Sequence, residues 1–127
     1  MREIQFLAFI KHLNCIADVI SIDFSKKEVE VYLPDRDEIR IYFFDDVELL
    51  QFTGYKDRNE KNIYEGHIVK VTWRYDSDIG TVKYIRNGFF VGDMKRHTPI
   101  SLGSISATYE VIGYKYTSPE LLGDQIG

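Results

Sequence analysis

Apolar residues recur at every second position through much of this chain. In "VISIDFSKKEVEVYL", Ile20, Ile22 and Phe24 alternate with polar neighbours, and beyond Ser25-Lys26-Lys27 so do Val29, Val31 and Leu33. A period of two matches a pleated strand, whose successive side chains point to opposite faces, so the spacing predicts a β-hairpin. Pro34-Asp35-Arg36-Asp37 supplies the next turn, because Pro presets φ and Asp bonds to nearby backbone. "EIRIYFF" then puts Ile39, Ile41 and Phe43 on one face, and residues 19–44 read as a three-stranded meander. The first twenty residues carry both periods. Phe6, Phe9, Ile10, Leu13, Ala17 and Ile20 fit a helix, whereas Ile4, Phe6, Ala8 and Ile10 fit a strand. The pattern leaves both open. The preferred reading is a strand through Ile10, a loop at "KHLN" and a second extended segment from Cys15.

The second half is punctuated more densely. Leu49 to Phe52 is apolar and extended, Thr53-Gly54 ends it, and Tyr55 to Asn62 is polar and turn-prone. Tyr64-Glu65-Gly66 leads into "HIVKVTWRY", where Val69, Val71, Trp73 and Tyr75 alternate. Gly54 and Gly66 are placed for sharp bends that a Cβ would obstruct. Asp76-Ser77-Asp78 makes a loop, and Asn87-Gly88 is a strong hairpin signal, since both residues tolerate positive φ. Tyr109 to Tyr116 is a last strand. Ser118-Pro119-Glu120 starts a short helix, with Ser as N-cap and Pro at the first helical position, and Gly123 stops it. About five short strands after Leu49, joined by tight turns, suit a small SH3-like β-barrel. The expectation is a mainly β protein: an N-terminal β-meander over residues 1–48, packed with an SH3-like barrel over 49–127 that carries a short C-terminal helix.

Bulk composition alters this little. The chain has 127 residues, 44% hydrophobic and 14% aromatic, enough for a core and suited to pleated surfaces. Net charge is −4, divided unevenly: residues 1–50 hold 6 basic and 11 acidic groups, residues 51–127 hold 10 and 9. A nucleic-acid surface would therefore lie in the second half, yet no dense basic run marks one. A single cysteine, Cys15, rules out an intramolecular disulfide framework and suits a reducing cytoplasm. The apolar run near Met1 is too short for a signal peptide or a membrane span.

Candidate chemistry is sparse. His12 and Cys15 have a spacing that could seat two metal ligands, but a zinc site needs three or four. His67 reads as a turn residue and His97 as a loop residue. Asp45-Asp46 and Asp76-Ser77-Asp78 sit at strand ends, where Asp is common for turn reasons. There is no phosphate loop, no nucleophile elbow and no cysteine with a clear histidine partner. No catalytic residue, metal or cofactor is expected. Trp73, Tyr75 and Tyr84 interleave with Arg74, Lys83 and Arg86, as on barrels that stack bases and track phosphates. Strand alternation opposes that reading, because neighbours such as Trp73 and Arg74 face opposite ways.

Three blocks, "MREIQFLAF", "LLQFTGYKDRNEKNIYEGHIV" and "YEVIGYKYTSPELL", resemble the YopX family of phage and prophage proteins in order and spacing. The middle block is the specific one. It matches at Leu49, Gln51, Thr53, Gly54, Lys56, Asp57, Asn59, Lys61, Ile63, Tyr64, Glu65, Gly66, Ile68 and Val69. It departs where Leu50 stands for methionine, Phe52 for tyrosine, Glu60 for a turn glycine and His67 for aspartate. Leu7 and Phe9 stand where arginine and tryptophan are usual. The departure at Glu60 puts a tight turn at 59–60 in doubt. The resemblance implies an SH3-like barrel, a phage or prophage origin and residence inside the bacterial host cell, with no established activity and no active site to carry over. The expected function is an accessory protein, not an enzyme, acting through contacts with a host or phage protein or through self-association as a homo-oligomer. Nucleic-acid binding is the alternative. The residues expected to bind are Tyr55, Lys56, Asp57 and Arg58 at an exposed turn, with Arg74 and Lys83.

Overall fold

The computed structural model describes residues 5–95 and 98–126. Arg96 and His97, the latter read as a loop residue, lie outside them. The described part is mainly β and divides into two compact units, the first ending at Gln51 and the second beginning at Phe52. The division falls inside a strand, three residues beyond the 48/49 boundary that the pattern suggests, because the backbone stays extended through it.

The first unit holds β1 (Phe6–Ile10), β2 (Cys15–Asp23), β3 (Glu28–Leu33), β4 (Glu38–Phe43) and the first half of β5 (Val47–Lys56). They pair antiparallel in the order β4-β3-β2-β1-β5. The ambiguous opening is thus two strands around a turn in which Asn14 takes φ 50°, a left-handed conformation that Asn adopts more readily than most residues. The hairpin and meander form as the alternation predicts. A 3₁₀ turn, Phe44–Asp46, joins β4 to β5.

Register decides which residues become core. Directly paired residues share a face, and Ile22–Val29–Tyr42 and Val19–Val31–Arg40 make rows on one side. That side is the core: Ala8, Ile10, Ala17, Val29, Val31, Leu33 and Val47 are buried, with Leu13, Cys15, Tyr42 and Leu49 packed against them. The other rows are Asp18–Tyr32–Ile39, Ser21–Glu30–Ile41 and Asp23–Glu28–Phe43. The apolar stripe of β4 therefore lies on the opposite face from that of β3. Ile39, Ile41 and Phe43 remain 63%, 62% and 60% exposed. The cause is the turn over 34–37, which pairs Leu33 with Glu38; a one-residue slip would send the other stripe inward.

In the second unit the latter half of β5 pairs with β6 (Asn62–Tyr64) across an irregular register, with Gly54 at φ 88° inside it. The strand that was expected to end at Thr53-Gly54 bulges there and continues to Lys56. The remaining strands, β7 (His67–Thr72), β8 (Ser77–Ile85), β9 (Gly88–Gly92), β10 (Ile100–Ser101) and β11 (Thr108–Tyr114), form an antiparallel sheet in the order β10-β9-β8-β7-β11. This order is open, with β10 and β11 at its edges. Trp73, Arg74 and Tyr75, expected on a strand, lie instead in the β7–β8 turn, which the Trp73 N–H closes by donating to the Asp76 carbonyl at 2.8 Å. The β8–β9 hairpin forms, but its loop is Arg86-Asn87, with Arg86 at φ 59° and Gly88 already paired with Ile85. The C-terminal segment Pro119–Ile126 is 3₁₀ rather than α and is broken at Gly123, which takes φ 57°. Among the described residues no helix is long and apolar enough to cross a membrane.

The core of this unit draws Ile63 from β6, Val69 and Val71 from β7, Val82 from β8, Phe89 and Val91 from β9, Leu102, and Tyr109 from β11. Gly80 is needed for close approach: a Cβ there would lie 2.6 Å from Val91 Cγ1 and 2.7 Å from Met94 Cγ, with the Gly92 carbonyl nearer still. Overpacking of this kind costs about 1–3 kcal/mol. Gly80→Ala is expected to lower stability in urea denaturation by that amount without changing the far-UV spectrum.

Candidate functional site

The corner between β5 and β7 is organised by short polar side chains. The Thr53 hydroxyl, buried, donates to the Ile63 carbonyl at 2.7 Å and accepts from the Tyr55 N–H at 3.1 Å, which shapes the bulge at Gly54. Asp57 follows. Its Oδ1 accepts the N–H groups of Asn59 and Lys61 at 2.8 and 2.9 Å, and its Oδ2 accepts that of Val111 on β11 at 2.9 Å. The Asp57 N–H donates to the Lys61 carbonyl, and the Glu60 N–H donates back to the Asp57 carbonyl. Burial alone would raise this carboxyl group; the three backbone donors, that of Val111 foremost, hold it below the ordinary carboxylate value. The tight turn forms although Glu60 stands where the resemblance expects a turn glycine, and Glu60 takes φ 65° to do so.

His67 closes the corner. Expected in a turn, it is instead the first residue of β7 and only 4% exposed. Its Nδ1 accepts the Tyr64 N–H at 2.9 Å, which leaves the proton of the neutral ring on Nε2. The ring lies against Tyr114 at 4.3 Å between centroids. Desolvation pushes its pKa down to about 4, with nearby Asp57 opposing and Lys61 assisting. The Gly66 N–H and carbonyl, at φ 83°, bond to Val82 and Lys115.

Beside this corner, Thr53, Gly54 and Tyr55 also line a cleft of about 450 Å³ together with Tyr84, Asn87, Gly88 and Phe89. Tyr55 and Tyr84 are 43% and 53% exposed. The Tyr84 ring is held edge-on to buried Phe89 at 5.0 Å, and the Tyr55 hydroxyl lies beside Gly103, where a Cβ would come within 3.1 Å. Two rigid phenols, one amide side chain and glycine backbone form a surface that can stack and hydrogen-bond. Asn87 and Gly88 were legible only as a turn. Their part in a cleft depends on Tyr55, which is remote in sequence.

The residues expected to bind differ in exposure and in partners. Tyr55, Lys56 and Arg58 are exposed as expected, but Asp57 is buried and its carboxylate is engaged by the backbone, so it is not a contact residue at the surface. Arg74 is exposed in the β7–β8 turn with its guanidinium 5.3 Å from the Tyr75 ring centroid, and Tyr75 is 88% exposed. Trp73 packs against the core. Lys83 forms an ion pair with Asp93 at 2.8 Å. His12 and Cys15 stay apart in role: His12 sits edge-on to Tyr42 at 5.5 Å, while burial raises the Cys15 thiol above its ordinary value. Among the described residues no group of three or more His, Cys, Asp or Glu side chains converges as metal ligands would.

The family described as YopX protein matches this chain over residues 1–123. Two solved structures have the same fold. Protein yopX from Bacillus subtilis is 24% identical with a TM-score of 0.64, over 95% of this chain and 98% of its own. Protein EF1440 from Enterococcus faecalis is 21% identical with a TM-score of 0.61, over 96% of this chain and 99% of its own. No curated protein matches.

Two measurements test the corner. Asp57→Ala leaves three backbone donors without their acceptor and is expected to cost about 3 kcal/mol or more in chemical denaturation. The second is the pH dependence of stability. Because His67 binds its proton less readily when folded, the unfolded chain takes up protons first, and stability falls as pH drops from about 6.5 toward 4. The loss approaches about 3 kcal/mol at 1.36 kcal/mol per unit. Asp57, depressed in the fold, adds its own loss only below its ordinary value of 3.8. His67→Gln is expected to flatten the upper window and leave the lower one.

Proposed function

The chain belongs to the YopX family, and from that premise we propose that it is a phage- or prophage-derived accessory protein that works in the bacterial cytoplasm by binding another protein rather than by catalysing a reaction. The cleft between Tyr55 and Tyr84 carries this reading. Its lining combines half-exposed rings with amide and backbone hydrogen-bonding groups and contains no carboxylate, imidazole, thiol or ammonium group. Tyrosine-rich surfaces of this sort suit protein recognition, because each ring offers a large contact area with few torsions to freeze.

We read the second unit as a small barrel of the SH3-like kind. This is supported by one apolar cluster fed from β6, β7, β8, β9 and β11, as a curled sheet wrapped on a single core would require. Nucleic-acid binding is the second reading, favoured by the exposed Arg74–Tyr75 pair. It is weakened by Lys83, whose charge is matched by Asp93.

A photo-crosslinking residue placed at Tyr84 is expected to capture a discrete polypeptide in bacterial lysate. The same residue at Arg36 in the first unit is expected to capture no polypeptide other than a second copy of the chain, and Tyr55→Ala should reduce the Tyr84 yield at least fivefold. Equal capture from both positions would refute a protein site in the cleft. Salt-sensitive shifts of single-stranded probes that disappear in Arg74→Ala would favour nucleic acid instead.

A further inference from the structure

We propose that β4 is a self-pairing edge: a second copy of this chain lays its own β4 antiparallel alongside, across a two-fold axis at Ile41. This surface lies in the first unit and is separate from the cleft, so it goes beyond the reading above and does not rest on it.

Among the described residues β4 stands at the edge of the first unit's sheet, where its one strand partner is β3. An edge strand presents a row of N–H and C=O groups able to pair with another strand, and proteins usually blunt such edges with proline, bulges or outward charge. On the outer face of β4 there is no proline, bulge or charge, and the strand's two charges, Glu38 and Arg40, lie on the other face and neutralise each other at 2.8 Å. β4 contains no proline, its register against β3 is regular over all six residues, and its outward side chains are Ile39, Ile41 and Phe43, each about three-fifths exposed. Three exposed apolar side chains along one edge strand are costly to leave in water, and pairing with a like strand would cover them.

Charge selects how a second copy can approach. On this face the charged strand positions are Asp18, Asp23, Glu28, Glu30 and Glu48, all acidic. Two such faces stacked on each other would oppose like charges. The edge is different, because β4 carries one Glu38 and one Arg40, already paired at 2.8 Å.

Pairing then selects the register. Opposed residues must come from the same face, so the axis passes through a residue rather than between two. An axis at Arg40 would set guanidinium against guanidinium. An axis at Ile39 would set Asp37 against the partner's Ile41 and leave Phe43 uncovered. An axis at Ile41 sets Ile41 against the partner's Ile41, Ile39 against the partner's Phe43, and Arg40 against the partner's Tyr42 ring. That register pairs each apolar side chain with an apolar one and opposes no like charges. The contact is a short two-stranded ribbon, below the area of a stable complex, so association on the order of 10 μM or weaker is expected.

Sedimentation equilibrium of the full chain from about 1 to about 500 μM, a range that brackets association this weak, tests the pairing. The expected result is a reversible monomer–dimer equilibrium. Ile41→Glu and Ile41→Lys, at an exposed site where the fold should persist by circular dichroism, should each weaken dimerisation at least tenfold. Mixing the two variants should restore a heterodimer. The mixture of Ile39→Glu with Phe43→Lys, opposed only in this register, should also restore association, while Tyr84→Ala leaves it unchanged. A wild-type chain that stays monomeric to the top of that range would overturn the proposal. So would a dimer or larger assembly that both Ile41 variants leave intact, or charge-opposed mixtures that fail to recover.

Discussion

The buried carboxylate of Asp57 is the contact on which the second unit's architecture turns. One side chain accepts N–H groups from its own turn, at Asn59 and Lys61, and from Val111 on β11, fifty-four residues further on. A charged acceptor can serve several donors at once and gains more from each than a neutral one would. The same turn is tied again by the Arg58 N–H to the Tyr109 carbonyl. Local turn chemistry thus becomes a long-range staple between the start of the unit and its last strand. Without it, β11 would face the turn with an unmatched donor, a costly condition for buried backbone.

This gives the family's most specific block a physical meaning. Thr53 accepts at the bulge, Gly54 bends the strand, Asp57 staples the turn and Gly66 opens β7, so each of them serves the backbone. The block that looks densest in reactive side chains is mainly a device for satisfying backbone polar groups at a corner. Two of the departures, Glu60 and His67, fit the same corner. Glu60 accepts a left-handed conformation because its N–H is needed by the Asp57 carbonyl. His67 serves as a neutral acceptor for Tyr64 and as a ring against Tyr114, and burial keeps it uncharged. What this framework displays includes Tyr55, whose N–H is fixed by Thr53 while the residue stays 43% exposed.

The first unit shows a different division between what is local and what is not. Alternation in β3 and in β4 is equally strong, and each strand is legible from its own pattern. Which stripe enters the core is a matter of register. Four turn residues pair Leu33 with Glu38, and Val29 and Val31 go inward while Ile39, Ile41 and Phe43 stay out. A reader of the sequence sees two apolar stripes of equal merit. Only the pairing shows that one of them is a surface.

While it left the first twenty residues open between helix and strand, the sequence by itself determined the mainly β character, the meander, the bends at Gly54 and Gly66 and a short helical segment from Pro119. These depend on periodicity and on backbone restrictions that act within a few residues. Tertiary structure alone decided that Asp57 is buried rather than displayed, that Trp73 to Tyr75 turn instead of continuing β7, that Lys83 meets Asp93, and that Tyr55 and Tyr84 frame one cleft. Apart from the turn, which Trp73 closes locally on Asp76, each of these depends on a partner further along the chain, and the free energy of burying or pairing a side chain is set by that partner, not by its neighbours in sequence.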